Sequence, residues 1–178
     1  DIMMKYDFNI PQIEYINIKG ENIGPSACWG VGIEKAIQNG YDWIWLMDDD
    51  AEPKNDALSA LTEYFYVENV SCLACVVKDR MGNIQLDHRG MIDFKHVFPT
   101  LQKKIDVSLY KEKDILEIDM ASFVGILLKS ESVKMIGHPN KYFFLHHDDV
   151  EYCIRLKKTG KLFLVTKSMI IHKEQAVK

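Results

Sequence analysis

The stretch Trp43-Ile44-Trp45-Leu46-Met47-Asp48-Asp49-Asp50 decides how this chain is read. Its continuous apolar run suits a strand buried on both faces of a sheet. The run ends in three adjacent carboxylates, which repel one another unless a positive charge sits among them. A hard divalent cation with oxygen ligands, Mg²⁺ or Mn²⁺, meets that need. On an extended chain Asp48 and Asp50 point the same way and can share the ion. The bland readings are a solvated acidic turn or a helix N-cap. A cap accounts for one aspartate, not for three beside a buried strand. A second acidic cluster, Asp148-Asp149-Val150-Glu151, follows about a hundred residues later, and the functional question is whether the two meet.

Working outward, Gln12 to Ile18 alternates apolar and polar residues and predicts a strand. Asn22 to Ser26 turns the chain. Pro25 then opens a helix with apolar positions at Trp29, Ile33 and Ile37, and Gly40 stops it. After the triplet, Asp56 to Tyr66 reads as a helix and Ser71 to Val77 as another buried strand. The resulting β-α-β-α-β order predicts an α/β fold, a mostly parallel central sheet flanked by helices. Ligands of such sheets bind beyond the carboxyl ends of strands, where the triplet lies.

Lys78 to Asp114 shows no clean period, beyond a turn at Asp79 to Asn83 and short strand candidates at Ile84 to Leu86 and Met91 to Phe94. Asp114 to Lys129 regains strand character, with Gly125 marking a bend or a close approach. A short helix is expected over Ser130 to Ile136 and another over Asp148 to Thr159, stopped by Gly160. Leu162 to Val165 and Met169 to Ile171 read as strands leading to His172. With no repeat or linker visible, residues 1–178 read as one domain.

Hydrophobic residues make up 47% and charged residues 27%, enough apolar surface for a full core. A net charge of −4, with basic residues scattered, argues against nucleic-acid binding. Four cysteines are too few for a disulfide framework. Cys72 and Cys75 have CxxC spacing, but in an apolar stretch without flanking glycine they read as a buried structural pair. That usage suggests a reducing, cytoplasmic compartment. No apolar run reaches the roughly 18 residues that span a bilayer.

The acids of Asp148 to Glu151 open a helix, where the dipole stabilises carboxylates by about 0.3–1 kcal/mol each. They also follow the apolar, aromatic run Tyr142 to Leu145, and carboxylates beside dry surface gain proton affinity and can act as general bases. For His172 the sequence leaves a structural histidine and a ligand as equal readings. No HExxH, GxSxG or P-loop pattern is present.

Together the blocks Asn22-Ile23-Gly24, Tyr41 to Pro53, Ala121 to Gly125, Phe144 to Arg155, Gly160 and Ile171-His172 resemble a family-2 glycosyltransferase of GT-A fold, especially its galactofuranosyl- and rhamnosyltransferase-like branch. The resemblance implies inverting transfer of a sugar from a nucleotide-diphosphate donor, a UDP- or dTDP-sugar, to a saccharide or lipid-linked acceptor in surface polysaccharide synthesis. It implies that Asp48, Asp49 and Asp50 face the donor diphosphate, with Asp48, Asp50 and His172 holding Mn²⁺ or Mg²⁺. Asp149 would be the catalytic base. Asp148, Glu151 and Gly125 would lie on the acceptor side. The family's first β-α unit, which binds the nucleotide base, is expected to be missing before Asn22. This N-terminally incomplete Rossmann-like sandwich, a fragment of a longer chain, is expected to bind donor poorly and to turn over slowly or not at all by itself. The expected location is the cytoplasm, with peripheral association at the inner membrane face. The competing functions are a nucleotidyltransferase and a catalytically silent glycan-binding domain of the same fold.

Overall fold

In the computed structural model, residues 13–20, 22–93, 95, 102–144 and 146–173 are described. Pro25–Gln38 forms helix α1, entered through Gly24 at φ 79°. A Cβ on Gly24 would lie 2.6 Å from the Phe144 ring, so only glycine fits that approach. Strand β1 (Trp43–Leu46) follows, then β2 (Ala51–Pro53), helix α2 (Ala57–Thr62) and the nine-residue strand β3 (Val70–Lys78), of which eight residues are buried.

A 3₁₀ turn (Leu86–His88) leads into β4 (Arg89–Ile92), β5 (Gln102–Lys104), helix α3 (Leu109–Glu112), β6 (Ile115–Ile118), β7 (Met120–Ala121) and β8 (Ile126–Lys129). Helix α4 (Ser130–Ile136), a 3₁₀ turn (Lys141–Phe143), helix α5 (Asp148–Leu156) and the long strand β9 (Lys161–His172) complete the described chain.

The main sheet has the order β1-β8-β3-β9-β2, with β6 also paired to β9. The α/β class is as the sequence implies, but the pairing is mixed. Strands β1, β3 and β9 point the same way, while β8 lies between β1 and β3 in the opposite direction. Among the described pairs of this sheet only β3 and β9 bond in parallel. A strand buried on both faces has no period that reports direction, so the sequence could not foresee this. Strands β5, β4 and β7 form a small antiparallel sheet.

The core lies on both faces of the main sheet. Cys72, Ala74 and Val76 of β3 pack with Ile33, Tyr152 and Leu156 on one side. Leu73, Cys75 and Val77 pack with Leu61 and Ile170 on the other. Cys72 and Cys75 therefore point to opposite faces, as i and i+3 must on a strand, and form no paired site. Burial pushes both thiols up, which leaves them inert.

Two expectations about strands change. Residues 13–18 of the expected strand Gln12 to Ile18 are not in a sheet, and Gln12 lies outside the described residues. The two expected C-terminal strands are one strand, β9, interrupted where Cys75 pairs with Val165 but Val76 with Met169. The looped-out residues keep their polar groups satisfied: Thr166 Oγ1 donates to Lys113 O at 2.6 Å and Ser168 Oγ to Ala57 O at 2.7 Å. The expected helices over Ser130 to Ile136 and from Asp148 are present, the second ending at Leu156.

Candidate active site

The acidic triplet is a tight turn rather than an extension of β1. Ala51 N–H donates to Asp48 O at 3.1 Å, and the chain then pairs as β2 with the end of β9. That register sets Ala51 opposite His172, and Lys173 N–H donates to Asp50 O at 2.9 Å. His172, distant in sequence, is thereby brought onto Asp50, its Nε2 lying 3.2 Å from Asp50 Oδ1.

Asp48, Asp50 and His172 each offer a ligand atom, all within 4.8 Å of one another. Asp49 is exposed and outside that group, although with Asp48 it lines a groove of about 1020 Å³ that also takes in Trp29, Trp43 and Trp45. Burial holds the Asp48 carboxyl above the usual carboxylate range. His172 opposes that effect, and Asp50, Asp49 and Asp148 add to it. The Asp148 charge thus reaches Asp48, which sets the two acidic clusters on the same side of the molecule.

The donor set suits a hard or borderline divalent cation: two carboxylates, one imidazole and a local excess of negative charge. His172 Nδ1 is buried and has no hydrogen-bond partner among the described residues, so none of them holds that nitrogen by a hydrogen bond.

Helix α5 carries the second cluster. Asp148 is buried and Asp149 half-buried at its first turn, where the dipole favours negative charge. Burial raises the Asp149 carboxyl; the Val150 N–H, 2.7 Å from Oδ1, opposes the shift, and the Asp148 charge adds to it. Glu151 is bidentate to Arg155, at 2.6 and 2.8 Å, and Arg155 also donates to Ile136 O and His138 O. Its carboxylate thus ties α5 to the segment after α4.

Gly125 is buried at φ 73°, with its N–H bonded to Leu46 O at 3.0 Å and its carbonyl to Cys75 N–H at 2.9 Å. The close approach its missing side chain permits is to Ile170 and Cys75. Residues 121–125 reach α5 as well: Ala121 N–H donates to Cys153 Sγ at 3.3 Å, and the Phe123 and Tyr152 rings lie 5.9 Å apart. Lys157, the C-cap of α5, pairs with Asp119, and burial pushes the Cys153 thiol up to about 12.

Three residues that the sequence reading did not single out also converge here. His88 Nδ1 lies 2.7 Å from Ser122 Oγ, and its ring meets that of His172 edge-on, centroids 5.1 Å apart. Burial, then the Arg89 charge, holds His88 down at about 4, so it is neutral near pH 7. Arg89 is fully buried and donates to carbonyl oxygens of Cys75, His88, Ser122, Val124 and Gly125. An arginine in an aperiodic stretch reads as solvated, so no sequence signal marks it.

Comparison with known proteins places the fold and the family. Over 85% of the chain the fold matches the crystal structure of GalNAc-T7 with UDP, GalNAc and Mn²⁺ (TM-score 0.63, 14% identity, 31% of that chain). Over 92% it matches A197 from STIV (TM-score 0.61, 14% identity, 74% of that chain). The architecture is that of the GT-A glycosyltransferases. The chain belongs to glycosyl transferase family 2, whose profile matches residues 1–129.

Among curated proteins, the galactofuranosyltransferase GlfT1 of Mycolicibacterium smegmatis is 28% identical over 146 residues, 80% of this chain and 47% of its own length. The dTDP-rhamnosyl transferase RfbF of Shigella flexneri is 23% identical over 150 residues, 80% of this chain and 46% of its own. The chain spans about half the length of these relatives. No helix among the described residues is long and apolar enough to cross a membrane.

Proposed function

We propose that this domain transfers a sugar from a nucleotide-diphosphate donor to a hydroxyl of a saccharide or glycolipid acceptor, with inversion and with help from a divalent cation. The observation that carries the reading is the convergence of Asp48, Asp50 and His172 within reach of the Asp148 charge. Asp48, Asp50 and His172 would hold Mn²⁺ or Mg²⁺. When bound, the ion offsets the negative charge that gathers on a departing diphosphate.

Asp149 is the base. Its carboxylate accepts the acceptor hydroxyl proton while that oxygen attacks the anomeric carbon, and burial raises its proton affinity toward that task. Asp148 holds acceptor hydroxyls beside it, and Glu151 fixes the helix through Arg155. The expected donor is a UDP- or dTDP-sugar; the name of the Shigella flexneri relative prints dTDP. The working location is the cytoplasm, at the inner membrane face where a lipid-linked acceptor resides.

The test is a thermal-shift panel of UDP, GDP, dTDP and CMP, with and without Mn²⁺, on this chain and on Asp50→Ala. The expected result is stabilisation by one nucleotide that needs Mn²⁺ and vanishes in the variant. Glycan binding that survives both Asp50→Ala and Asp149→Ala would sink the catalytic reading in favour of a silent binding domain.

A further inference from the structure

The cation-side imidazole has an unusual support. A metal-binding histidine ordinarily has its second ring nitrogen oriented by a carboxylate, a carbonyl or a water. His172 is nearly buried, its side chain 10% exposed, yet its Nδ1 has no partner among the described residues. What meets the ring instead is His88, set edge-on at an interplanar angle of 89°.

His88 is itself held on three sides. Its Nδ1 shares a hydrogen bond with Ser122 Oγ at 2.7 Å. Its carbonyl accepts from Ser122 N–H at 3.0 Å and from Arg89 Nη1 at 2.6 Å. Arg89, buried beneath it, also donates to Val124 O at 2.5 Å and Cys75 O at 2.8 Å, which stops the 122–125 backbone from drifting away.

We propose that His88 is a positioning residue of this site. Its ring braces that of His172, and its tie to Ser122 sets the cation-side imidazole and the 121–125 loop as one unit. Because the same loop is fastened to α5 through Ala121 and Cys153, and to the end of β1 through Gly125 and Leu46, the brace links both halves of the site. The inference rests on the cation reading above. It adds a residue outside the group Asp48, Asp50 and His172.

The test is Mn²⁺ binding by this chain, followed by the loss of the free-ion electron paramagnetic resonance signal, with the His172 ring read separately by NMR in the metal-free chain. His88→Ala is expected to weaken Mn²⁺ about tenfold, the low end of the range for losing a hydrogen-bonded outer-shell partner, because the support here is a ring contact. Ser122→Ala should weaken it in the same direction, and the double variant should be no worse than His88→Ala alone. In the metal-free chain the His172 ring should hold a single side-chain rotamer, set by the edge-on His88 ring, and average over several in His88→Ala. His88→Gln, which fills the space without a ring, carries the same expectation if the alanine variant fails to fold.

Binding lost in Asp50→Ala but kept within twofold in both His88 variants would overturn the brace and leave the cation site standing. Binding absent from the unmodified chain, or unchanged in Asp50→Ala, would overturn the cation reading and the brace with it.

Discussion

Asp48, Asp50 and His172 are set by strand register, with His172 opposite Ala51 and Lys173 N–H bonded to Asp50 O at 2.9 Å. Asp149 stands instead on a nine-residue helix entered through His146 and His147 at φ 72° and 61°. The proposed cation side is built by the sheet, and its geometry follows from pairings that the core enforces. The proposed base side is built by a short helix entered through left-handed backbone, a conformation that costs about 1–2 kcal/mol per non-glycine residue. A rigid half therefore faces one whose entry is strained, as at sites where geometry is held against local preference.

The largest effect should come from the base. Once the nucleotide panel names the donor, Asp149→Asn is expected to lower kcat about 10²–10⁴-fold, the usual worth of a positioned base. It should leave Mn²⁺-dependent nucleotide stabilisation intact. The same residue sets a pH dependence. Burial raises its carboxyl, so the acid limb of kcat/KM should lie above the ordinary aspartate value of about 3.9, activity falling as the pH drops through it.

The stability sign is the opposite. A raised folded-state pKa penalises the charged form, fully above that pKa and not at all below the unfolded value. Asp149→Asn should therefore raise Tm at neutral pH, by an amount that shrinks toward acid. A Tm that falls at neutral pH would mean that the carboxylate is held by partners rather than strained by burial.

Asp50→Ala should cost about 10²–10³-fold in kcat, the scale for removing one preorganised electrostatic contact. Unlike Asp149→Asn, it should abolish the Mn²⁺ dependence of nucleotide binding. If the two variants behave alike in the binding assay, the division into a cation half and a base half fails.

Stability tests the rigid side. Gly125→Ala would force a Cβ at φ 73° to within 3.1 Å of the Ile170 side chain and 3.4 Å of Cys75. A loss of about 2–3 kcal/mol is expected from strain and overpacking, read by urea denaturation. A loss below 0.5 kcal/mol, the order of an ordinary surface change, would show that this part of the sheet yields easily.

What the sequence made legible follows the same division. The apolar run before Asp48 and the acids opening α5 were readable because burial and helix dipoles leave local signatures. The helix over Ser130 to Ile136 was readable from its period and from Gly137. The inserted direction of β8 was not, nor was β2, only three residues long. His172 remained balanced between two readings because its role depends on facing Ala51, a long-range pairing that no local pattern encodes. His88 and Arg89 stayed hidden for the same reason. Their partners, Ser122, Val124 and Gly125, lie more than thirty residues away along the chain.

The smallest effect, and the sharpest check on the contrast, lies at the entry to α5. His147 is the N-cap in left-handed backbone (φ 61°, ψ −1°), and its side chain makes no cap hydrogen bond. Glycine adopts that conformation without the Cβ penalty, so His147→Gly should stabilise the fold by about 1 kcal/mol, or about 2–4 °C in Tm for a chain of this size. The gain is partly offset because glycine also frees the unfolded chain, an effect of about 0.4–1 kcal/mol. A positive shift means that the strain outweighs it and that the base is held in place against the preference of its own backbone. No shift means the two balance, and a negative one means that His147 supplies contacts worth more than the strain. In that last case the base side is as firmly built as the sheet side, and the contrast drawn between the two halves is wrong.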